Sequence, residues 1–125
     1  MSGPVVVLCR LAELRHTGCR EFRIGEGDWP LRGFVVQCEQ GVRAYVNRCP
    51  HLSYPLNYLP NQFLSADGSM IQCHAHGAIF EKSTGYCVAG PCAGHSLVNL
   101  PVIVESGYVL LAAEVDPDAL AARYA

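Results

Sequence analysis

The sequence predicts an all-β fold: antiparallel sheets forming a sandwich or a partly open barrel, with one short helix at the C-terminal end. Three observations predict it. The β-branched and apolar stretches are short and closely spaced. The 12 glycines and 8 prolines fall largely between them, as turn signals. Half of the 125 residues are hydrophobic, enough for a core in one domain spanning 1–125.

In chain order, residues 5–11 are β-branched and apolar and read as a first strand. A polar turn is expected over 13–19. Residues 20–24 then alternate polar and apolar, as a half-buried strand does. Residues 25–33, with Gly25, Gly27, Pro30 and Gly33, read as loop, and Trp29 within it is expected to pack against the sheet edge. Residues 33–38, a turn at Glu39-Gln40-Gly41 and residues 42–47 form a predicted hairpin that delivers the chain to Cys49. Residues 52–64 hold Pro, Asn and Tyr without a sustained period. Asp67-Gly68 turns into a strand over 69–72, and short strands follow at 78–81 and 86–88. After a loop at 89–94, residues 97–105, the turn Ser106-Gly107 and residues 108–113 complete a last hairpin. Asp116 can cap the terminal helix, and Pro117 suits its first position.

The net charge of -2 and the scattered lysines and arginines give no basic footprint, so nucleic-acid binding is not expected. The N-terminal apolar run lacks a basic region ahead of it and stops at Arg10, which supports neither signal peptide nor membrane anchor. The seven cysteines are odd in number and irregularly spaced, unlike a secreted disulfide framework. Reduced thiols and a cytoplasmic location are the expectation.

The chemistry is concentrated in two short clusters, Cys49-Pro50-His51 and Cys73-His74-Ala75-His76. Each brings a soft thiolate and an imidazole. Such a set can hold a mononuclear zinc. It also has the division a mixed-ligand [2Fe–2S] centre needs, with two Cys on one iron and two His on the other. No Ser, Cys or carboxylate constellation suggests hydrolytic or transfer catalysis. Cys49 beside His51 could pass for a nucleophile and base, but the second Cys/His cluster favours metal binding.

With Gly77 after the second cluster and the later Gly85-Tyr86-Cys87-Val88-Ala89-Gly90-Pro91 stretch, the chain resembles the Rieske iron–sulfur family. The specific part of the resemblance is 41–97. It implies one Rieske-type [2Fe–2S] cluster, with Cys49 and Cys73 on the buried iron, His51 and His76 on the outer iron, and Gly90-Pro91 in a loop that covers the cluster. By the same pattern His74 is a solvent-facing neighbour, while His16 and His95 are surface residues. Two thiolates leave an oxidised cluster less negative than four would, so mixed-ligand centres lie at roughly −150 to +300 mV, against about −400 mV for plant-type ones.

Within that range, high-potential members of the family carry a disulfide across the cluster loops and hydroxyl donors to the sulfurs. Here Tyr54 and Ala75 occupy the disulfide positions, and Ala78 and Phe80 the hydroxyl positions. Fewer hydrogen bonds to sulfur destabilise the reduced state, so a low, ferredoxin-like potential is expected. Cys87 and Cys92, which flank Gly90-Pro91, are expected to pack beneath the loop rather than form a redox pair or extra ligands. Cys9, Cys19 and Cys38 are expected to be buried spectators.

The resemblance implies a soluble one-electron carrier, not itself an enzyme, passing electrons from a flavin reductase to an oxygenase. Neither a second iron domain nor a membrane anchor is visible in the 125 residues. The loop tip around Pro50, Leu52, His74, Gly90 and Pro91 is short of charge and suits a small apolar docking patch with little salt dependence. The alternatives are a small subunit of a reductase resembling the nitrite reductase family, a structural zinc domain and a redox sensor.

Overall fold

A computed structural model describes residues 6–25, 30–50, 55–57, 59, 61–74 and 77–112. Trp29, His51, Leu52, Tyr54, Ala75, His76 and the expected terminal helix lie outside the described residues, as does the side chain of His16.

The middle of the chain builds the central layer. Strands β2 (Cys19–Ile24), β3 (Leu31–Cys38) and β4 (Gly41–Val46) follow one another as antiparallel neighbours. Cys38 pairs with Gly41 across the turn, where Gly41 takes φ +123°, a conformation that suits glycine. Gly33 is needed for a different reason: a Cβ there would lie 2.5 Å from the Phe22 ring and 2.9 Å from the Tyr45 carbonyl oxygen. β3 begins two residues earlier than the glycines of 25–33 suggested.

Because side chains alternate along a strand, β3 and β4 feed two separate cores. Phe34, Val36 and Tyr45 face one, with Leu56, Phe63, Ile71 and Phe80. Val35, Val42, Ala44 and Val46 face the other, with Leu8, Leu14 and Val109. The second core is roofed by an outer sheet in the order β1 (Val7–Arg10), β10 (Tyr108–Leu111), β9 (Val102–Glu105). The first is roofed by the small sheet β5 (Ile71–Gln72), β6 (Ile79–Phe80), β7 (Cys87–Ala89). Among the described residues all strand pairs are antiparallel, and no barrel closes.

Two stretches differ from the sequence reading, each for a visible reason. The turn over 13–19 is helical, with a 3-10 turn at Leu11–Glu13 running into α1 (Leu14–Thr17). The apolar Leu14 within it is buried in the second core, and Gly18, left-handed at φ +75°, ends the helix by donating to the Leu14 carbonyl. The strand expected over 97–105 is divided at Pro101. Proline cannot donate to a ladder, and the chain changes sheet there: β8 (Asn99–Leu100) pairs with β4, and β9 with β10.

Candidate metal centre

Two loops carry the candidate ligands. The first leaves β4 at Asn47, the one buried polar residue among those described. Its Oδ1 accepts from the Leu56 N–H at 2.7 Å, and its Nδ2 donates to Asn57 Oδ1 at 2.9 Å. One side chain thus joins both ends of the loop that contains Cys49. Asn57 in turn donates to the Leu59 carbonyl. Farther on, Asn61, at φ +60°, accepts from the Glu21 N–H through its side chain, while its carbonyl receives the Cys19 thiol at 3.1 Å.

The second loop is the turn of the β5–β6 hairpin. The Cys73 N–H donates to the Ala78 carbonyl, and the Gly77 N–H donates back to the Cys73 carbonyl, each at 2.8 Å. The His74 N–H donates to the Leu56 carbonyl, so the two candidate loops are tied to each other. Beneath them Phe34 and Phe63 stack with ring centroids 4.3 Å apart.

The third loop follows β7. Gly90, at φ +95°, presses so closely on the second loop that a Cβ would lie 2.8 Å from the Ala78 Cα. Hydrogen bonds from Ala93 to Gly90, from His95 to Cys92 and from Cys87 to His95 fold this loop back on β7. That carries Cys92 from an exposed stretch into the core.

The structure brings Cys49, Cys73, Cys87 and Cys92 into one apolar cluster, all essentially inaccessible. Burial of Cys87 and Cys92 agrees with the expected packing, but Cys92 does more than fill space: its Sγ lies 3.4 Å from Cys49 Sγ. The Cys87 thiol donates to the Ala89 carbonyl. Cys9 and Cys19 are buried as expected, and burial pushes the Cys9 thiol up to about 11. Cys38 is not a buried spectator; it is half-exposed at the hairpin turn. His74 also departs from expectation. It is half-buried rather than solvent-facing, because the backbone bond to Leu56 draws it against the loop. There it lines an open cleft of about 400 Å³ with Thr17, Cys19, Asn61 and Phe63. His95 is exposed, as expected.

The donors present fit an iron–sulfur centre. Two buried thiols stand on adjoining loops in an apolar setting, and soft thiolates suit iron–sulfur or zinc chemistry. Among the described residues no group of three His, Cys, Asp or Glu side chains forms a metal-holding set. The two candidate histidines lie outside those residues. Ala78 and Phe80, both fully buried, offer no hydroxyl to the site. Asn47 was legible only as the last residue of a strand; an Asn before a Cys-x-His loop is too weak a signal to reveal a clamp.

The chain matches the Rieske [2Fe-2S] domain family over residues 4–106, and it belongs to that family. Membership implies one Rieske-type [2Fe–2S] cluster.

Solved structures place the fold more narrowly. The ferredoxin of carbazole 1,9a-dioxygenase from Nocardioides aromaticivorans IC177 is similar with a TM-score of 0.67 and 23% identity, over 90% of this chain and 100% of that one. A complex of reduced oxygenase and oxidized ferredoxin in carbazole 1,9a-dioxygenase gives 0.65 and 24%, over 90% and 95%. The terminal oxygenase of carbazole 1,9a-dioxygenase from Novosphingobium sp. KA1 gives 0.66 and 21% over 92% of this chain, which spans 30% of that oxygenase's length. These likenesses are of fold. Comparison with curated proteins gave no match.

Proposed function

We propose that Cys49 and Cys73 hold the inner iron of a Rieske cluster and His51 and His76 the outer one. On this reading the chain is a low-potential one-electron carrier, cytoplasmic and without catalysis of its own, that takes electrons from a flavin reductase and delivers them to an oxygenase. The observation that carries the reading is the pair of buried thiols on two hydrogen-bonded loops in a Rieske-family chain, each followed in sequence by a histidine. The similarity to ferredoxins over nearly their whole length supports the carrier role, and the ferredoxin–oxygenase complex among them supports an oxygenase as partner.

When bound, the cluster takes up and returns a single electron. The protein excludes water from the thiolates by burying them and fixes the loops through Asn47 and the Cys73–Ala78 turn. It leaves the sulfurs without hydroxyl donors at Ala78 and Phe80, which keeps the potential low. On the covering loop Gly90 and Pro91 are exposed and uncharged, which suits brief docking through a small apolar patch. Among the described residues no helix is long and apolar enough to cross a membrane.

The test is electron paramagnetic resonance of anaerobically purified, dithionite-reduced protein. A rhombic signal with an average g value well below that of four-cysteine clusters is expected, with a midpoint below zero on titration. One zinc per chain with no signal would make the site structural and overturn the carrier reading, and a midpoint well above zero would overturn the low potential.

A further inference from the structure

Cys92 sits on the covering loop, far in sequence from either candidate ligand cluster. It is fully buried, and its Sγ lies 3.4 Å from that of Cys49, well within reach of a sulfur–sulfur hydrogen bond. The loop is built to hold it there. Its carbonyl accepts from the His95 N–H at 2.9 Å, and Gly90, two residues earlier, is wedged against the Ala78 backbone. In the bare pair either sulfur could donate. A cysteine bound to iron has given up its proton, so once Cys49 is a ligand only Cys92 has a hydrogen to give.

We infer that Cys92 is a positioning residue for the redox centre: its thiol donates a hydrogen bond to the Cys49 ligand sulfur and raises the electron affinity of the site. The inference rests on the ligand assignment proposed above. Its physical basis is charge. Reduction adds an electron whose density is shared with the ligand sulfurs, so a donor aimed at one of them favours the reduced state over the oxidised one. A thiol is a weak donor, which makes the effect modest. It acts from the loop after β7, while Ala78 and Phe80 have no side-chain donor to offer.

The experiment is a redox titration, followed by electron paramagnetic resonance, of holoprotein carrying Cys92→Ala, Cys92→Val or Cys92→Ser. Without a donor, Cys92→Ala and Cys92→Val are expected to lower the equilibrium constant for reduction about fivefold, a fall in midpoint of about 40 mV at about 59 mV per tenfold for one electron. Cys92→Ser keeps a donor and is expected to hold its midpoint above that of Cys92→Ala. Should Cys92→Ala or Cys92→Val fail to fold, the remaining one against Cys92→Ser decides.

Equal midpoints in all variants and wild type would overturn the inference and leave the ligand assignment standing. So would midpoints that follow side-chain size, with Cys92→Val like wild type. Loss of the signal in every folded variant would also overturn it, by making Cys92 a ligand. A wild-type protein without the mixed-ligand signal would overturn the ligand assignment, and this inference with it.

Discussion

Asn47→Ala isolates the clamp that closes the first loop. The substitution removes the Oδ1 that receives the Leu56 N–H at 2.7 Å and the Nδ2 that reaches Asn57. Leu56 is fully buried, so its amide is left in an apolar core without this acceptor. A stranded buried donor costs about 1–3 kcal/mol. Taking about 2 kcal/mol, and about 3–6 °C per kcal/mol for a domain of this size, Tm should fall by about 6–12 °C. The assay is thermal unfolding followed by circular dichroism, with the metal-to-sulfur absorbance recorded in parallel. The absorbance should be lost at lower temperature than in wild type, because the same loop carries Cys49, a proposed ligand. Asn57→Ala, which removes a half-buried partner and leaves the Leu56 bond intact, should cost about 1 kcal/mol or less. A change under about 0.5 kcal/mol for Asn47→Ala, within the range of an ordinary surface substitution, would refute the argument. So would equal costs for the two variants.

Two further substitutions probe the other contacts around the centre. Gly90→Ala meets both a φ of +95° and the Ala78 backbone at 2.8 Å, and should cost about 2–4 kcal/mol in urea unfolding. Gly94→Ala, at φ +93° with open space around it, should show the backbone strain alone and a smaller loss. Burial pushes Tyr45 up to about 12, and the Cys9 thiol up to about 11. Both groups favour the folded state while protonated, so their contribution is whole below the unfolded values of about 9 for Cys and about 10 for Tyr. It is lost as pH rises, through about 11 for Cys9 and about 12 for Tyr45. The urea midpoint of wild type should therefore decline above about pH 9. Tyr45→Phe should flatten the decline between about pH 10 and 12 while costing about 1 kcal/mol at neutral pH, where it loses the 2.8 Å bond to the Lys82 carbonyl.

The sequence was informative wherever a local rule decided the structure. The β3–β4 hairpin was written in two apolar runs around a turn ending in Gly41, and Cys49 and Cys73, read from the sequence as ligand candidates, are both buried. It misled where a tertiary partner decided. Polar neighbours made 13–19 look like a plain turn, although Leu14 had a core to enter and brought a helical turn with it. Residues 97–105 read as a continuous strand because apolar pattern does not say which sheet a strand joins; Pro101 marks the exchange. Cys38 looked buried by type, but the hairpin places it at an open turn. Most distant from sequence logic was Cys92, whose meaning depends on a contact across the fold with Cys49.

The central sheet has one more consequence. Neighbouring residues on β3 and β4, such as Phe34 and Val35 or Ala44 and Tyr45, belong to different cores. The sheet is therefore a partition wall. On one side substitution disturbs the cluster that holds Cys49 and Cys73, the proposed sulfur ligands. On the other, around Leu8, Leu14 and Val109, it changes resistance to heat in a cluster that holds neither Cys49 nor Cys73. A lineage with this architecture can drift in thermal tolerance in one compartment while its electrical properties are held in the other.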